Sequence, residues 1–308
     1  MGGGGSSYTN WKSDRLAEAV RKDTEESGAE YQTALAGYFS ELLGAFNGRD
    51  VELLHKRLDR IKESLQEELE STFDQIFGGS VAKHTYVDGL SDIDSLLVID
   101  GSKFEGESPE NILEQIVAIL QERIGGDATI DHGSMAVTVS YADDMTIQLL
   151  PAMRSEGRLR IPAAGQNRWS EIDPDAFRNA LVKSNSECGG KLVPTIKLAK
   201  AVIGNLPEKY QLAGYHVESL AVAAFQGYKG EKTTASMLPY FFDRAKDLVL
   251  KPIRDPSGQS THVDEYLGPD DSPVRQEVSH LLGGITKRMR TASASQSKRQ
   301  WESLFYNE

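Results

Sequence analysis

Two carboxylates and a glycine turn are the residues in this chain whose types and spacing suit chemistry. Asp92 and Asp94 stand two positions apart in Ser91-Asp92-Ile93-Asp94, at the head of the apolar run Ser95-Leu96-Leu97-Val98-Ile99. A short apolar run with β-branched residues predicts a buried strand. Residues two apart on a strand share a face, so the two acids project together. Paired carboxylates repel each other unless a cation offsets them. Mg2+ is held in this way, by one or two carboxylates plus substrate phosphate oxygens. Upstream, Gly78-Gly79-Ser80 predicts a tight turn with little side-chain bulk. Glycine there lets backbone N–H groups approach a phosphate, and Ser80 adds a hydroxyl donor. No Gly-Lys-Ser/Thr closes the turn, so it is not a P-loop. A phosphate cradle followed by a metal pair is the equipment of nucleotidyl transfer. Asp-x-Asp alone has little weight, since solvated acids at a strand edge look the same. The specific feature is the glycine-serine turn, the acid pair and the apolar strand in succession.

Other elements must hold that strand. Val51, Leu54, Leu58, Ile61, Leu65 and Leu69 fall at spacings of three and four, one face of an amphipathic helix. Before it, 13–43 reads as helical with a break near Ser27-Gly28. Residues 71–77 predict a short strand leading into the turn. Ser108 as cap and Pro109 in the first turn open a helix to about Ile124, stopped by Gly125-Gly126. Residues 135–141 and 145–150 read as strands around the turn Ala142-Asp143-Asp144, with Pro151 ending the sheet. Residues 154–166 read as a polar connector, where a lobe boundary is placed. Helices are then expected over 174–183, 192–203, 215–228, 234–250 and 274–291. The tail should pack Trp301, Leu304 and Phe305 onto the body.

Composition narrows the classes. The chain has 308 residues, a net charge of −12 and a pI of about 5.1. That balance argues against binding long nucleic acid by counterion release. Cys188 is the single cysteine, which excludes a disulfide framework and a thiolate zinc site. No apolar run reaches transmembrane length, and the start Met-Gly-Gly-Gly-Gly-Ser-Ser has no signal-peptide core. The expected location is cytoplasmic, with no membrane partner.

Gly-Ser, a spacer containing Thr85, then Ser-Asp-Ile-Asp and an apolar strand resembles the signature of polymerase-β-like nucleotidyltransferases. Leu149-Leu150-Pro151-Ala152, 192–200 (LVPTIKLAK), 215–220 (YHVESL) and 255–258 (DPSG) narrow the likeness to the CD-NTases, which synthesise cyclic oligonucleotides in bacterial antiphage (CBASS) systems. The resemblance runs from about residue 50 to the end. It implies an α+β fold of two lobes: a mixed-sheet nucleotidyltransferase lobe over 1–165, including the N-terminal helices, and a helical lobe over 166–308. The nucleotide cleft lies between them.

The resemblance also implies roles. Gly79 and Ser80 bind the donor phosphates, and Asp92 and Asp94 are catalytic and hold Mg2+ or Mn2+. Lys197 and Lys200, three apart on one helix, reach the triphosphate from the other side. Read alone, such a pair would be solvated surface lysines. Tyr215, with Glu218 in the same motif, lies near the nucleotide base. The partners implied are ATP or other nucleoside triphosphates and, through a diffusible cyclic nucleotide, a downstream effector. At the third acidic position the family pattern resembles Val-Asp-Leu-Val-Pro-Ala, and this chain has Gln148. An amide offers a carbonyl oxygen but cannot act as a base or offset a second cation's charge. Asp143 and Asp144 lie several residues from that position. Two other classes stay open: a catalytically impaired nucleotide-binding homologue, and a transferase acting on RNA or a small molecule.

Overall fold

The protein is described by a computed structural model covering residues 28–46, 51–69, 73–76, 93–100, 104, 106–133, 135–143, 145–155, 157–163, 166–254 and 264–306. In chain order the elements are α1 (28–45), α2 (Val51–Leu69), β1 (Phe73–Ile76), β2 (Ile93–Asp100), α3 (Pro109–Ile124), β3 (Ala128–His132), β4 (Val137–Tyr141) and β5 (Thr146–Ser155). There follow β6 (Arg158–Ala163), β7 (Gln166–Ile172), α4 (Pro174–Glu187), α5 (Leu192–Gly204), α6 (Gly214–Ala224), α7 (Thr234–Leu248), α8 (Pro273–Ala294) and α9 (Lys298–Glu302), with a short 3-10 turn at Glu265–Leu267. The expected Gly-Ser turn, Asp92, a helix before residue 28 and the Asp255-Pro256 turn lie outside the described residues.

The strands make one mixed sheet in the order β1-β2-β5-β4-β3, with β6 on β5 and β7 on β6. Only β2 and β5 pair in parallel; the other neighbours are antiparallel. Strand β2 is buried on both faces, as its unbroken apolar run predicts. Leu97 and Ile99 pack with Leu149 and Met153 against α2 and α3, whose Leu58, Ile61, Leu65, Ile112, Ile116 and Leu120 fill one core. Leu96, Val98 and Ala152 form a small cluster on the opposite face. Helix α3 starts and stops as expected: Ser108 Oγ accepts the Asn111 N–H, Pro109 is in the first turn, and Gly125 closes the last turn.

Two expectations from the sequence are corrected. Pro151 does not end the sheet, because β5 continues through it to Ser155. Its registered partner is Leu97 on the β2 side. On the other side β4 stops opposite Leu149 and β6 begins opposite Met153, so Pro151 falls in the gap between two neighbours. A proline is tolerated where no ladder bond needs its nitrogen. The stretch 154–166 is not a connector either. It turns at Gly157 (φ 77°) into the meander β5-β6-β7, and the sheet extends past residue 165 to Ile172. Its polar side chains misled the reading because Arg158 and Arg160 point to solvent and pair with Glu171. Trp169 ties β7 back to the body by donating from Nε1 to the Glu107 carbonyl (3.0 Å).

A second, larger core is helical. It gathers Ile196, Leu198, Val202, Val217, Leu220, Phe241, Phe242, Leu282 and Met289. Helix α1 belongs to this core through Leu35, Phe39 and Leu42, whereas α2, next in sequence, packs on the sheet. The C-terminal tail fixes α1. Trp301 Nε1 donates to Tyr31 Oη (2.8 Å), and the Trp301 ring meets Phe39 edge-on at 5.4 Å. The tail thus packs Trp301, Leu304 and Phe305 as its amphipathic pattern predicts. Among the described residues no helix is long and apolar enough to cross a membrane.

Candidate active site

The first half of the site is set by backbone register. Asp94 lies in β2, and its Cα partner across the parallel ladder is Gln148 of β5. Gln148 is in turn the partner of Thr138 in β4. Cross-strand partners put their side chains on the same face a few ångströms apart. The residue at the expected third acidic position therefore stands directly opposite the second acid of the pair. Apolar packing secures that register: Ile147 and Leu149, flanking Gln148, are fully buried in the sheet core, and a one-residue slip would expose them. Asp143 is committed elsewhere. Its carboxylate accepts from Arg57 Nη1 at 2.9 Å, which holds its pKa below the usual carboxylate value. It is no stand-in for a carboxylate at 148.

Carboxylates at 92 and 94 with an amide oxygen at 148 would make a hard oxygen donor set of the kind that suits one divalent cation completed by phosphate oxygens. They would supply two negative charges, so a second cation would have only substrate to offset it. Among the described residues no group of three His, Cys, Asp or Glu side chains is placed to hold a metal ion.

The second half of the site is built on α5 and α6. Lys197 and Lys200 are 9% and 7% exposed, which excludes the reading of two solvated surface lysines. Lys200 Nζ donates to Glu218 Oε1 at 2.8 Å, an ion pair with both side chains buried. Gly214 permits this approach: a Cβ there would lie 3.2 Å from the Lys200 ammonium. Lys197 lies one turn earlier. Burial first, and the neighbouring Lys200 charge second, lower its pKa. Tyr215, at the start of α6, is 37% exposed and packs its ring on Phe177 of α4 at 4.4 Å with a 31° tilt. One face of a tyrosine is thus held by a buried phenylalanine.

The expected roles divide accordingly. Asp94 and Gln148 are brought together by the sheet; Lys197, Lys200 and Tyr215 are brought together by α5 and α6. Gly79, Ser80 and Asp92 lie outside the described residues. Lys200, expected on the triphosphate, has its ammonium on Glu218. Sequence reading missed Glu218 as the partner of Lys200, 18 residues away, and Phe177 as the base of Tyr215. It also missed the buried group of His216, Asp264, Tyr266 and Arg275 beneath α6. The local signal for that group is a histidine, His216, near the start of an otherwise largely apolar helix.

A mixed sheet in which β2 and β5 run parallel, with Asp94 at the head of β2, completed by a helical body, is the architecture of the polymerase-β-like nucleotidyltransferase class. Residues 34–185 match the family model of the Second Messenger Oligonucleotide or Dinucleotide Synthetase domain. The chain belongs to this family, the CD-NTases, whose reaction is cyclic oligonucleotide synthesis from nucleoside triphosphates. Three solved structures show the same fold. The CD-NTase CdnG of Bradyrhizobium diazoefficiens, in complex with GTP, is 15% identical, with 89% of this chain and 96% of that one covered and a TM-score of 0.68. CdnC of E. coli MS115-1 with ATP gives 14%, 91%, 96% and 0.63. The Vibrio cholerae cyclic AMP-GMP synthase DncV, with a nonhydrolyzable GTP, gives 12%, 96%, 90% and 0.62. No curated protein matches the chain in sequence.

Proposed function

We propose that this chain joins nucleoside triphosphates into a cyclic oligonucleotide, in a cleft between a sheet lobe ending near Ile172 and a helical lobe that includes α1. The observation that supports this most is the register that sets Asp94 opposite Gln148, the residue at the expected third acidic position. Gly79 and Ser80 receive the donor's β- and γ-phosphates through backbone and hydroxyl donors. Asp92 and Asp94 hold Mg2+ or Mn2+. When bound, the cation supplies Lewis-acid polarisation of the α-phosphate.

Lys197 offsets triphosphate charge from the helical side. Its lowered pKa reflects a buried ammonium that gains most when a phosphate arrives. Tyr215 offers its exposed ring to a base. A ribose hydroxyl of the second nucleotide attacks the α-phosphorus, the bond to the bridging oxygen breaks, and pyrophosphate leaves. Gln148 orients the hydroxyl through its carbonyl oxygen but cannot take the proton, which passes to solvent. Catalysis is then positioning and charge stabilisation. The product would reach an effector by diffusion. A second pass through the same site closes the ring.

The test is incubation of the purified protein with all four nucleoside triphosphates and Mg2+, and separately Mn2+, followed by phosphatase and mass spectrometry. A phosphatase-resistant product is expected. The double substitution Asp92→Asn/Asp94→Asn should reduce it by about a thousandfold or more, about 4 kcal/mol of barrier. Nucleotide binding without product under either metal would sink the catalytic reading.

A further inference from the structure

Beneath the first turn of α6 lies a buried polar group that the proposed reaction leaves unused. His216, Asp264 and Arg275 are fully buried. Arg275, in the first turn of α8, gives Nη1 to Asp264 Oδ2 (2.6 Å) and to the Val249 carbonyl (2.9 Å). Its Nε serves the Gly268 and Pro269 carbonyls, and Nη2 serves the Asp264 carbonyl. The Asp264 carboxylate also accepts the Ile253 N–H. Arg275 and Asp264 thereby join the end of α7, the 3-10 turn and the start of α8 at one point.

The group continues into α6. Tyr266 Oη accepts the Ala213 N–H (3.0 Å), at the residue that caps α6, and lies 2.8 Å from His216 Nδ1. With that hydroxyl donating to Nδ1, the imidazole carries its proton on Nε2. Nε2 is 3.6 Å from Asp264 Oδ2, too far for a hydrogen bond, and has no partner among the described residues. Burial, opposed by Asp264 and aided by Arg275, pushes the His216 pKa down to about 4, so the ring is neutral. Tyr266 is half exposed, and its hydroxyl is held between the Ala213 N–H and the His216 ring.

A buried ion pair and an under-bonded imidazole are a costly way to obtain stability, since apolar side chains of similar volume commonly do as well. What such a group does supply is a single orientation. Here the oriented object is the first turn of α6. Ala213, whose N–H meets Tyr266, and His216 flank Tyr215 on either side, and Glu218, which receives Lys200, follows half a turn later. We propose that Tyr266 and His216 are positioning residues for the nucleotide: anchored by Asp264 and Arg275, they set the pitch of the first turn of α6 and so the plane that Tyr215 presents to the base. This rests on the reading of Tyr215 as a base contact.

Tyr266→Phe removes only the hydroxyl and keeps the ring. It is combined with Tyr215→Ala in a double-mutant cycle, with KM and kcat measured for the product-forming reaction. The Kd of each of the four nucleoside triphosphates is measured by calorimetry. Tyr266→Phe is expected to raise KM and Kd about tenfold, with kcat at saturation within about twofold. In the Tyr215→Ala background the same change should have no further effect on affinity, because the hydroxyl acts through that ring. His216→Leu should behave likewise. A purely structural staple would lower the melting temperature and leave the KM-to-kcat split untouched. Unchanged affinity in Tyr266→Phe overturns the proposal, as does an equal loss in both backgrounds. A wild-type protein that binds none of the four triphosphates would overturn the functional reading itself, and this proposal with it.

Discussion

The two halves of the candidate site manage charge in opposite ways. On the sheet, an acid and an amide are placed by strand register, with Asp94 opposite Gln148 and apolar neighbours holding the alignment. On the helices, the charges are buried and then paired: Lys200 with Glu218, and Arg275 with Asp264. Neighbouring carboxylates stay charged most readily when a cation offsets them. A buried ammonium must find a partner or give up its proton. The sheet half therefore depends on what binds to it, whereas the helical half is already compensated. Lys197, whose pKa is lowered by burial and by the neighbouring Lys200 charge, is the point where the helical half resembles the sheet half.

That contrast can be broken most directly at Lys200. Lys200→Met leaves the Glu218 carboxylate buried without its ammonium, and a loss of about 3–5 kcal/mol is expected in denaturant unfolding. The paired substitution Lys200→Met/Glu218→Leu should recover most of it. If the double variant is no more stable than the single one, pairing is not what keeps this half in place.

The second effect is a pH dependence. His216 is neutral in the folded protein down to about pH 4, while an unfolded histidine takes its proton near pH 6.5. The unfolded chain binds the extra proton between these values, so stability is complete above about pH 6.5 and falls as pH drops towards 4. The contribution is at most roughly 3 kcal/mol. The groups facing the ring are Tyr266, Asp264 and Arg275, and His216→Leu should flatten this limb of the stability–pH curve. An identical acid limb in His216→Leu would place the titration elsewhere.

The smallest change sharpens the comparison from the sheet side. Gln148→Asp adds a carboxylate opposite Asp94. In the absence of metal the like charges should lower the melting temperature slightly. Mg2+ or Mn2+ should then bind about tenfold more tightly than to the wild type and raise the melting temperature more. Equal metal affinity in both proteins would mean that position 148 does not face the cation.

Local periodicity made much of the fold legible. The apolar run after Asp94 became β2, the three-and-four spacing of Leu54 to Leu65 became the core face of α2, and Ser108-Pro109 became the start of α3. Each depends on which way neighbouring side chains point, and a few residues contain that information. The errors had physical causes. Pro151 reads as a terminator because a proline usually is one, yet its place between the ends of β4 and β6 depends on strands it cannot sense locally. Residues 154–166 are polar because the hairpin has one face in solvent, and polarity alone does not separate such a strand from a loop.

The sequence by itself determined the strand that Asp94 opens, the amide in place of a third acid, the helix faces, and the class of reaction these imply. Tertiary structure decided where Gln148 stands relative to Asp94, which lysine is paired, and which core takes α1. The division follows from range. Burial of a face is encoded every two or three to four residues. The partner of a buried charge, 18 residues away for Lys200 and 50 for the hydroxyl at His216, is chosen only when packing brings distant helices together and desolvation forces each charge to find its complement.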